Sequence, residues 1–372
     1  MKTVRFLHLA DLHIGKKLGE YSLIDDQRAV LEQAAELAGH CDEVLIAGDV
    51  YDKPAPGTEA MELFDEFLTT LCRMQKPVSI ISGNHDAAAR ISYLGKLLQS
   101  NHVTVSEKFN GKLQAVKNPD EEIQIYLLPF VTPVRVKQFW PDEKIENYED
   151  AIRVILKHSE LNPEKINILL CHQFITGGEI SDEEFSVGGL DNISAEVFAD
   201  FDYVALGHLH KPQFCGRETV HYAGSPLKYS LSEEHQKKYF TVVEISGKHD
   251  IQIQKFQIKP VHDVRTVKGS FAELQKMPYT WDYTNVILTD ETPVPDARLL
   301  LRTNFPHMLK FSIQNSKIRT DDFVSASELP EKLPPTEMFR LFYQHQNCNA
   351  EPTPEQMKIV REIFAELEEE DF

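Results

Sequence analysis

Five apolar runs in this chain stop abruptly at residues that can bind metal ions. The run 4–10 leads into Asp11-Leu12-His13, 44–47 into Gly48-Asp49, and 78–82 into Gly83-Asn84-His85-Asp86. Further on, 166–171 leads into His172, and 204–206 into Gly207-His208-Leu209-His210. Carboxylate, imidazole and amide donors without thiolate suit manganese, iron or zinc in an open catalytic site. A carboxylate such as Asp49 has two oxygens and can bridge two ions. Two ions about 3.5–4 Å apart clamp the attacking and leaving oxygens of an in-line phosphoryl displacement. Asp11 with His13, and His208 with His210, alternate along the chain, which on an extended segment aims each pair at one centre. Gly48, Gly83 and Gly207 permit tight turns and close backbone approach.

Taken singly, each motif has a plainer reading. D-x-H or G-D is often a turn or a helix cap, and His172 alone reads as a packed structural histidine. All five together, each at the end of a strand, point to a two-metal hydrolase. His40, His102, His158, His249 and His345 have no such context, and His8 reads as packing within the first strand.

The elements that must position these residues follow from periodicity. In open α/β sheets, ligands bind beyond the carboxyl ends of the strands, so five strand tips can converge on one crevice. From residue 4 to 129 short apolar runs alternate with helical patterns, the mark of βα units. Ser22 with Asp25 reads as a capping box for a helix that carries Leu31, Ala34, Ala35 and Ala38 on one face and ends at Gly39. A second helix begins near Thr58 and shows Met61, Phe64, Phe67, Leu68 and Leu71. Strands are expected at 123–128, 166–171, 203–206, 219–223, 239–245 and 251–258. Residues 1–258 thus read as one layered α/β domain.

Residues 259–320 read as a small α/β module, with strands at 286–288 and 309–313 and helices near 271–276 and 296–303. Residues 321–335 read as a linker marked by Pro330, Pro334 and Pro335. Residues 336–372 read as a helical segment. In it Thr353, Pro354 and Gln356 supply an N-cap, a first-position proline and a third-position amide. Met357, Val360, Phe364 and Leu367 form its apolar stripe.

Bulk properties set the frame. At 372 residues the chain exceeds the usual size of one domain, and 42% hydrophobic with 26% charged residues is ordinary for a globular protein. No signal peptide is visible in the first ten residues, and the apolar runs are too short to span a bilayer. Five scattered cysteines without C-x-x-C argue against a disulfide framework or a structural zinc site and fit a reducing cytoplasm. The net charge of -19 runs against phosphate binding by the surface as a whole. Local charge, bound ions and a partner must then supply the attraction, because total charge governs mainly solubility and long-range steering.

The order D-x-H, G-D, G-N-H-D, H and G-H-x-H resembles the calcineurin-like metallophosphoesterase superfamily. Several stretches are similar to its SbcD nuclease family: HLADLHIGK from His8, AGDVYD from Ala47, DYVALGHLHKPQ from Asp202 and YAGSPL from Tyr222. The resemblance covers essentially the whole chain. It implies a four-layer αββα sandwich with a small α/β capping, DNA-binding domain and a C-terminal helical tail. By match of motif, Asp11, His13 and His210 hold one divalent ion, Asn84, His172 and His208 the other, with Asp49 bridging. His85 stands apart from the ions and orients or protonates at the scissile phosphate, supported by Asp86. The resemblance also implies two manganese ions, double-strand 3'→5' exonuclease and single-strand or hairpin endonuclease activity, and a role in DNA repair and recombination. Its implied partners are DNA, a second copy of the chain, and the SbcC ATPase, two copies of each forming a heterotetramer whose coiled coil receives the terminal helices. Helices around 61–71 and 91–98 would contribute to the dimer. A cytoplasmic, nucleoid-associated enzyme without a membrane segment is expected.

Overall fold

The computed structural model describes residues 2–93, 95–118, 120–179, 181, 192–315, 335–346 and 351–370. It divides into two compact units, Met1–Val264 and Arg265–Phe372. The first begins with β1 (Val4–Leu9), a short ribbon of β2 (Lys17–Leu18) and β3 (Tyr21–Ser22), and helix α1 (Ile24–Ala38). It continues with β4 (Glu43–Ala47), α2 (Thr58–Arg73), β5 (Val78–Ile81), the short helices α3 (Ala88–Ile91) and α4 (Gly95–Gln99), and β6 (Val103–Val105). Next come β7 (Gln114–Lys117), β8 (Ile123–Leu128), α5 (Pro133–Lys137), α6 (Tyr148–Lys157) and β9 (Ile166–His172). The unit closes with β10 (Tyr203–Gly207), β11 (Gln213–Cys215), β12 (Arg217–Tyr222), β13 (Tyr239–Gly247) and β14 (Asp250–Gln257).

These strands make two six-stranded mixed sheets, ordered β14-β13-β1-β4-β5-β6 and β11-β12-β10-β9-β8-β7. The central strands are parallel, and β13, β14, β7 and β11 pair antiparallel at the margins. The sheets face each other across one apolar layer that includes Phe6, Leu45, Ile81, Ile125, Leu127, Ile168 and Leu170. The central strands β4, β5, β9 and β10 are buried on both faces, so they read as continuous apolar runs. On the outer face of the second sheet, Ile152 and Ile155 of α6 pack with Leu169, Val204 and Leu206. With α1 and α2 burying Val30, Leu31, Ala34, Leu63, Phe64 and Phe67, the unit is a four-layer αββα sandwich.

One buried carboxylate interrupts the core. Glu43, 4% exposed at the start of β4, accepts hydrogen bonds from Ser79 Oγ at 2.8 Å and Asn118 Nδ2 at 2.7 Å. Burial pushes its carboxyl up to about 7 against the hydrogen bonds from Ser79 and Asn118. A carboxyl raised in the fold binds its proton more tightly folded than unfolded. Stability should therefore fall as pH rises from the ordinary glutamate range through about 7. Glu43→Gln should leave urea stability near pH 4.5 almost unchanged and raise it at pH 8, by roughly 1–3 kcal/mol. An identical difference between the two proteins at both pH values would refute this.

One local expectation changes. Ser22 and Asp25 do not form a capping box, because Leu23 is the N-cap of α1 and makes no side-chain cap bond. Ser22 is already paired with Lys17 in the β2–β3 ribbon. Asp25 and Asp26 still favour the helix by placing negative charge on its first turn.

The second unit contains β15 (Val264–Gly269), α7 (Phe271–Leu274), β16 (Tyr283–Leu288), α8 (Ala297–Leu301) and β17 (Met308–Ile313), followed by α9 (Pro335–Gln346) and α10 (Pro354–Glu370). Its three-stranded sheet, β15-β16-β17, buries Val267, Val286 and Leu288 with Leu274, Leu301 and Phe305. β15 was not expected, because VRTVKG shows neither alternation nor a continuous apolar run. Thr353 and Gln356 make the reciprocal N-terminal bonds expected of them on α10, at 2.8 and 3.2 Å. Of the expected linker 321–335, all but Pro335 lies outside the described residues. No helix among the described residues is long and apolar enough to cross a membrane. Cys41, Cys72, Cys171 and Cys215 are free thiols, and Cys348 lies outside the described residues.

Candidate metal centre

The tips of β1, β4, β9 and β10 and the loop after β5 deliver the expected residues to one place. Ala10, Ala47 and Ala223 pack together where these strands end, so small side chains let the loops approach. Main-chain bonds then lock the first two loops together: Asp11 N–H to Gly48 O at 3.1 Å and His13 N–H to Asp49 O at 2.9 Å. Asp11, His13, Asp49 and His208 all have positive φ, at 51°, 42°, 49° and 106°. Such left-handed backbone is costly for non-glycine residues, and it accumulates where surrounding structure holds functional side chains in place. Asp11 and His13 therefore do not converge by alternation along an extended segment. Backbone turns at both residues aim them.

Glycines make the remaining room. A Cβ at Gly83 would lie 2.1 Å from Asp49 Oδ1. One at Gly207 would lie 2.0 Å from Ala47 O and 2.8 Å from His172 Nδ1. The loops can close on Asp49 and His172 only because these positions have no side chain.

Asp49 is central. Its Oδ1 accepts the His85 N–H at 2.9 Å, while Oδ2 lies 3.6 Å from His13 Nε2 and 3.3 Å from His172 Nε2. On one side, Asp11, His13 and His210 bring ligand atoms within 4.8 Å of one another, with the Nε2 atoms of His13 and His210 3.2 Å apart. On the other, Asn84 Oδ1 lies 3.0 Å from both His172 Nε2 and His208 Nδ1. His208 and His210 thus face opposite groups rather than one shared centre. Asp11 contacts both: its Oδ1 accepts the His208 N–H at 2.9 Å, and its buried Oδ2 has no protein partner.

The donor set fits cations. His172 Nδ1 lies 2.8 Å from Ala47 O, a contact that places the ring proton there and turns the Nε2 lone pair toward Asp49 and Asn84. His210 Nδ1 likewise faces Glu233 Oε1 at 3.2 Å, which turns Nε2 toward His13. Lone pairs converging on carboxylate and amide oxygens repel unless a positive charge sits among them, which a bound ion supplies and which, in its place, a proton on His172 Nε2 supplies. Electrostatics agree. Burial would raise Asp49, but His172, His13 and His85 draw its carboxyl far below the usual range. Burial would lower His172, but Asp49 outweighs it and pushes the ring up to about 9. Burial pushes Asp11 up to about 7 and holds His13 well below its ordinary value.

His85 is half-buried, and its Nδ1 lies 3.1 Å from the Asp52 carbonyl. It also falls within the same 4.8 Å radius of His13 and Asp49, so it adjoins the donor cluster rather than standing apart. Asp86 does not support the His85 ring through any of its bonds here. Its carboxylate accepts N–H bonds from Val50, Tyr51 and Gly83 at 3.0–3.1 Å and so pins the loops after β4 and β5 to each other. Sequence reading missed Gln27, whose amide donates to His13 O at 2.7 Å while its oxygen accepts the Gly15 N–H at 2.9 Å. It also missed Tyr229, whose hydroxyl donates to Leu12 O, and the contact of Glu233 with His210. No sequence spacing links these residues to the motifs they support.

Residues 4–212 match the calcineurin-like phosphoesterase family, and residues 260–347 match the type 5 capsule protein repressor C-terminal domain. The chain is 31% identical to the D subunit of nuclease SbcCD from Staphylococcus epidermidis, over 83% of this chain and 85% of the relative. It is 28% identical to the protein of the same name from Staphylococcus saprophyticus, over 98% of this chain and 99% of the relative. A solved protein of Thermus thermophilus overlaps 68% of this chain and 99% of its own at 14% identity and a TM-score of 0.36. The buried histidine–aspartate clusters at the strand tips and the relatives of nearly equal length lead to one conclusion: this chain is a metal-dependent phosphoesterase of the calcineurin-like family and belongs to the SbcD family of nuclease subunits.

Proposed function

We propose that this protein hydrolyses DNA phosphodiester bonds with two divalent ions, manganese for preference, as the nuclease subunit of an SbcCD complex. The observation that carries the two-ion reading is Asp49 Oδ2, which lies between His13 at 3.6 Å and His172 at 3.3 Å with a donor group on either side. Asp11, His13 and His210 would hold one ion, and Asn84, His172 and His208 the other, with Asp49 shared. When bound, such ions neutralise charge on a transferring phosphoryl group and activate water.

The chain's own residues do the rest. His85, half-buried and held through its N–H by Asp49 and through Nδ1 by Asp52 O, presents its other ring nitrogen to serve the departing 3'-oxygen as a proton donor. Asp86 acts as a positioning residue by fixing both loops that carry Asp49 and His85. Double-strand 3'→5' exonuclease and single-strand or hairpin endonuclease action follow the family resemblance, as does work in repair and recombination in the cytoplasm.

DNA, a second copy of this chain and SbcC are the proposed partners. The names of the staphylococcal relatives support a complex. On the second unit, Phe342, Ile359 and Ile363 of α9 and α10 are 54%, 57% and 50% exposed, a surface suited to a coiled-coil partner. Exposed Met61, Tyr93 and Leu97 on and beside α2–α4 suit the homodimer contact. Residues 259–320 are proposed as the DNA-binding cap.

The test offers 3'-labelled duplex, hairpin and single-stranded DNA beside bis(p-nitrophenyl) phosphate, with manganese or with EDTA. Cleavage of DNA with manganese and none with EDTA is expected. Hydrolysis of the small diester alone, with every DNA left intact even when SbcC and ATP are supplied, would make the protein a small-molecule phosphoesterase.

A further inference from the structure

Glu233 lies more than twenty residues beyond the last metal-binding motif, in a short 3-10 turn (Leu231–Glu233), and its side chain is fully buried. One carboxylate oxygen meets His210 Nδ1 at 3.2 Å. The other meets Lys238 Nζ at 2.5 Å, and that ammonium also donates to His210 O at 2.8 Å and Ser225 Oγ at 2.9 Å. A single buried ion pair therefore grips His210 twice, at the ring and at the main chain. Buried ion pairs add little to stability compared with apolar residues of similar volume, so packing alone does not explain one here. The ring it grips belongs to the Asp11–His13–His210 group. His172, on the other side, takes its orienting bond from a backbone carbonyl, Ala47 O.

We propose that Glu233, braced by Lys238, is the positioning residue that holds the proton on His210 Nδ1 and turns His210 Nε2 toward the ion shared with Asp11 and His13. A carboxylate behind a ligating histidine fixes its tautomer and its angle, and loss of such a partner typically lowers metal affinity 10–100-fold. The inference rests on the two-ion reading of the site and adds the prediction that the two ions depend unequally on Glu233.

Calorimetric titration of the metal-free full-length chain with manganese tests it, because it reads binding and not activity. The wild type should bind two ions, and His210→Ala identifies the one that depends on His210. Glu233→Gln should weaken that same ion about 10-fold and leave the other unchanged. The double variant Glu233→Leu with Lys238→Met removes both buried charges together, so no ammonium is stranded, and should weaken the same ion toward 100-fold while the melting temperature stays within a few degrees. Wild-type affinity for both ions in the two variants overturns the proposal. Equal weakening of both ions with a fall in melting temperature also overturns it, in favour of a purely structural pair. A wild type that binds no divalent ion removes the two-ion reading itself.

Discussion

Asp49→Ala should bind at least one divalent ion fewer than the wild type and lose DNA cleavage by roughly 10³-fold or more. The size follows from position. Asp49 is 2% exposed, touches His13 and His172 through one oxygen, and fixes the His85 N–H through the other. Its removal takes away the negative charge that both donor groups share. Stabilisation of phosphoryl charge by bound ions is worth several kcal/mol, and each 1.4 kcal/mol is a factor of ten in rate. The metal-free fold should survive, because the main-chain bonds that join the loops, Asp11 N–H to Gly48 O and His13 N–H to Asp49 O, do not involve this side chain. Loss of a buried carboxylate also relieves its repulsion of Asp11, which raises the Asp11 carboxyl. Metal content by atomic absorption, with cleavage of labelled duplex, decides the matter. Full metal content together with undiminished cutting would remove Asp49 from the centre of the site.

His85→Ala should separate binding from chemistry. A general acid contributes typically 10²–10⁴-fold, and cleavage should fall by about that factor while both ions remain bound. The reason lies in its contacts. The ring's Nδ1 is engaged by Asp52 O at 3.1 Å, and the half-buried ring stands edge-on to His13 with centroids 4.8 Å apart. The same proximity allows a competing role, since His85 also falls within ligand distance of His13 and Asp49. The outcome discriminates between them. Loss of one ion in His85→Ala would make the residue a ligand, and normal cutting would deny it any role in the reaction.

How much of this was legible beforehand depends on the range over which each cause acts. Strands 123–128 and 166–171 were readable because they are buried on both faces and lie inside unbroken apolar runs. The glycines at 48, 83 and 207 were readable as places of close approach, since no other residue tolerates such contact. β15 was not readable, because its burial follows neighbours in a small sheet rather than a period of its own. The Ser22 box failed for a related reason: pairing with Lys17 claimed the residue that local propensity had assigned to the helix.

The seven candidate ligands, Asp11, His13, Asp49, Asn84, His172, His208 and His210, with His85 beside them, could be named as a set from the sequence alone, and they lie together in the structure. Residue type and the abrupt ends of apolar runs are local properties, but the tips of β1, β4 and β5 belong to one sheet and those of β9 and β10 to the other, so their meeting depends on how the two sheets pack. Tertiary structure decided how that set divides. Left-handed turns at Asp11 and His13, not strand alternation, aim the first loop, and His208 and His210 part toward opposite groups. The supports of the site were likewise a tertiary decision. Gln27, Tyr229, Glu233 and Lys238 reach it from elements remote in the chain, through hydrogen bonds whose geometry no spacing encodes. Ligand type is fixed residue by residue, whereas ligand direction is fixed only when distant elements pack.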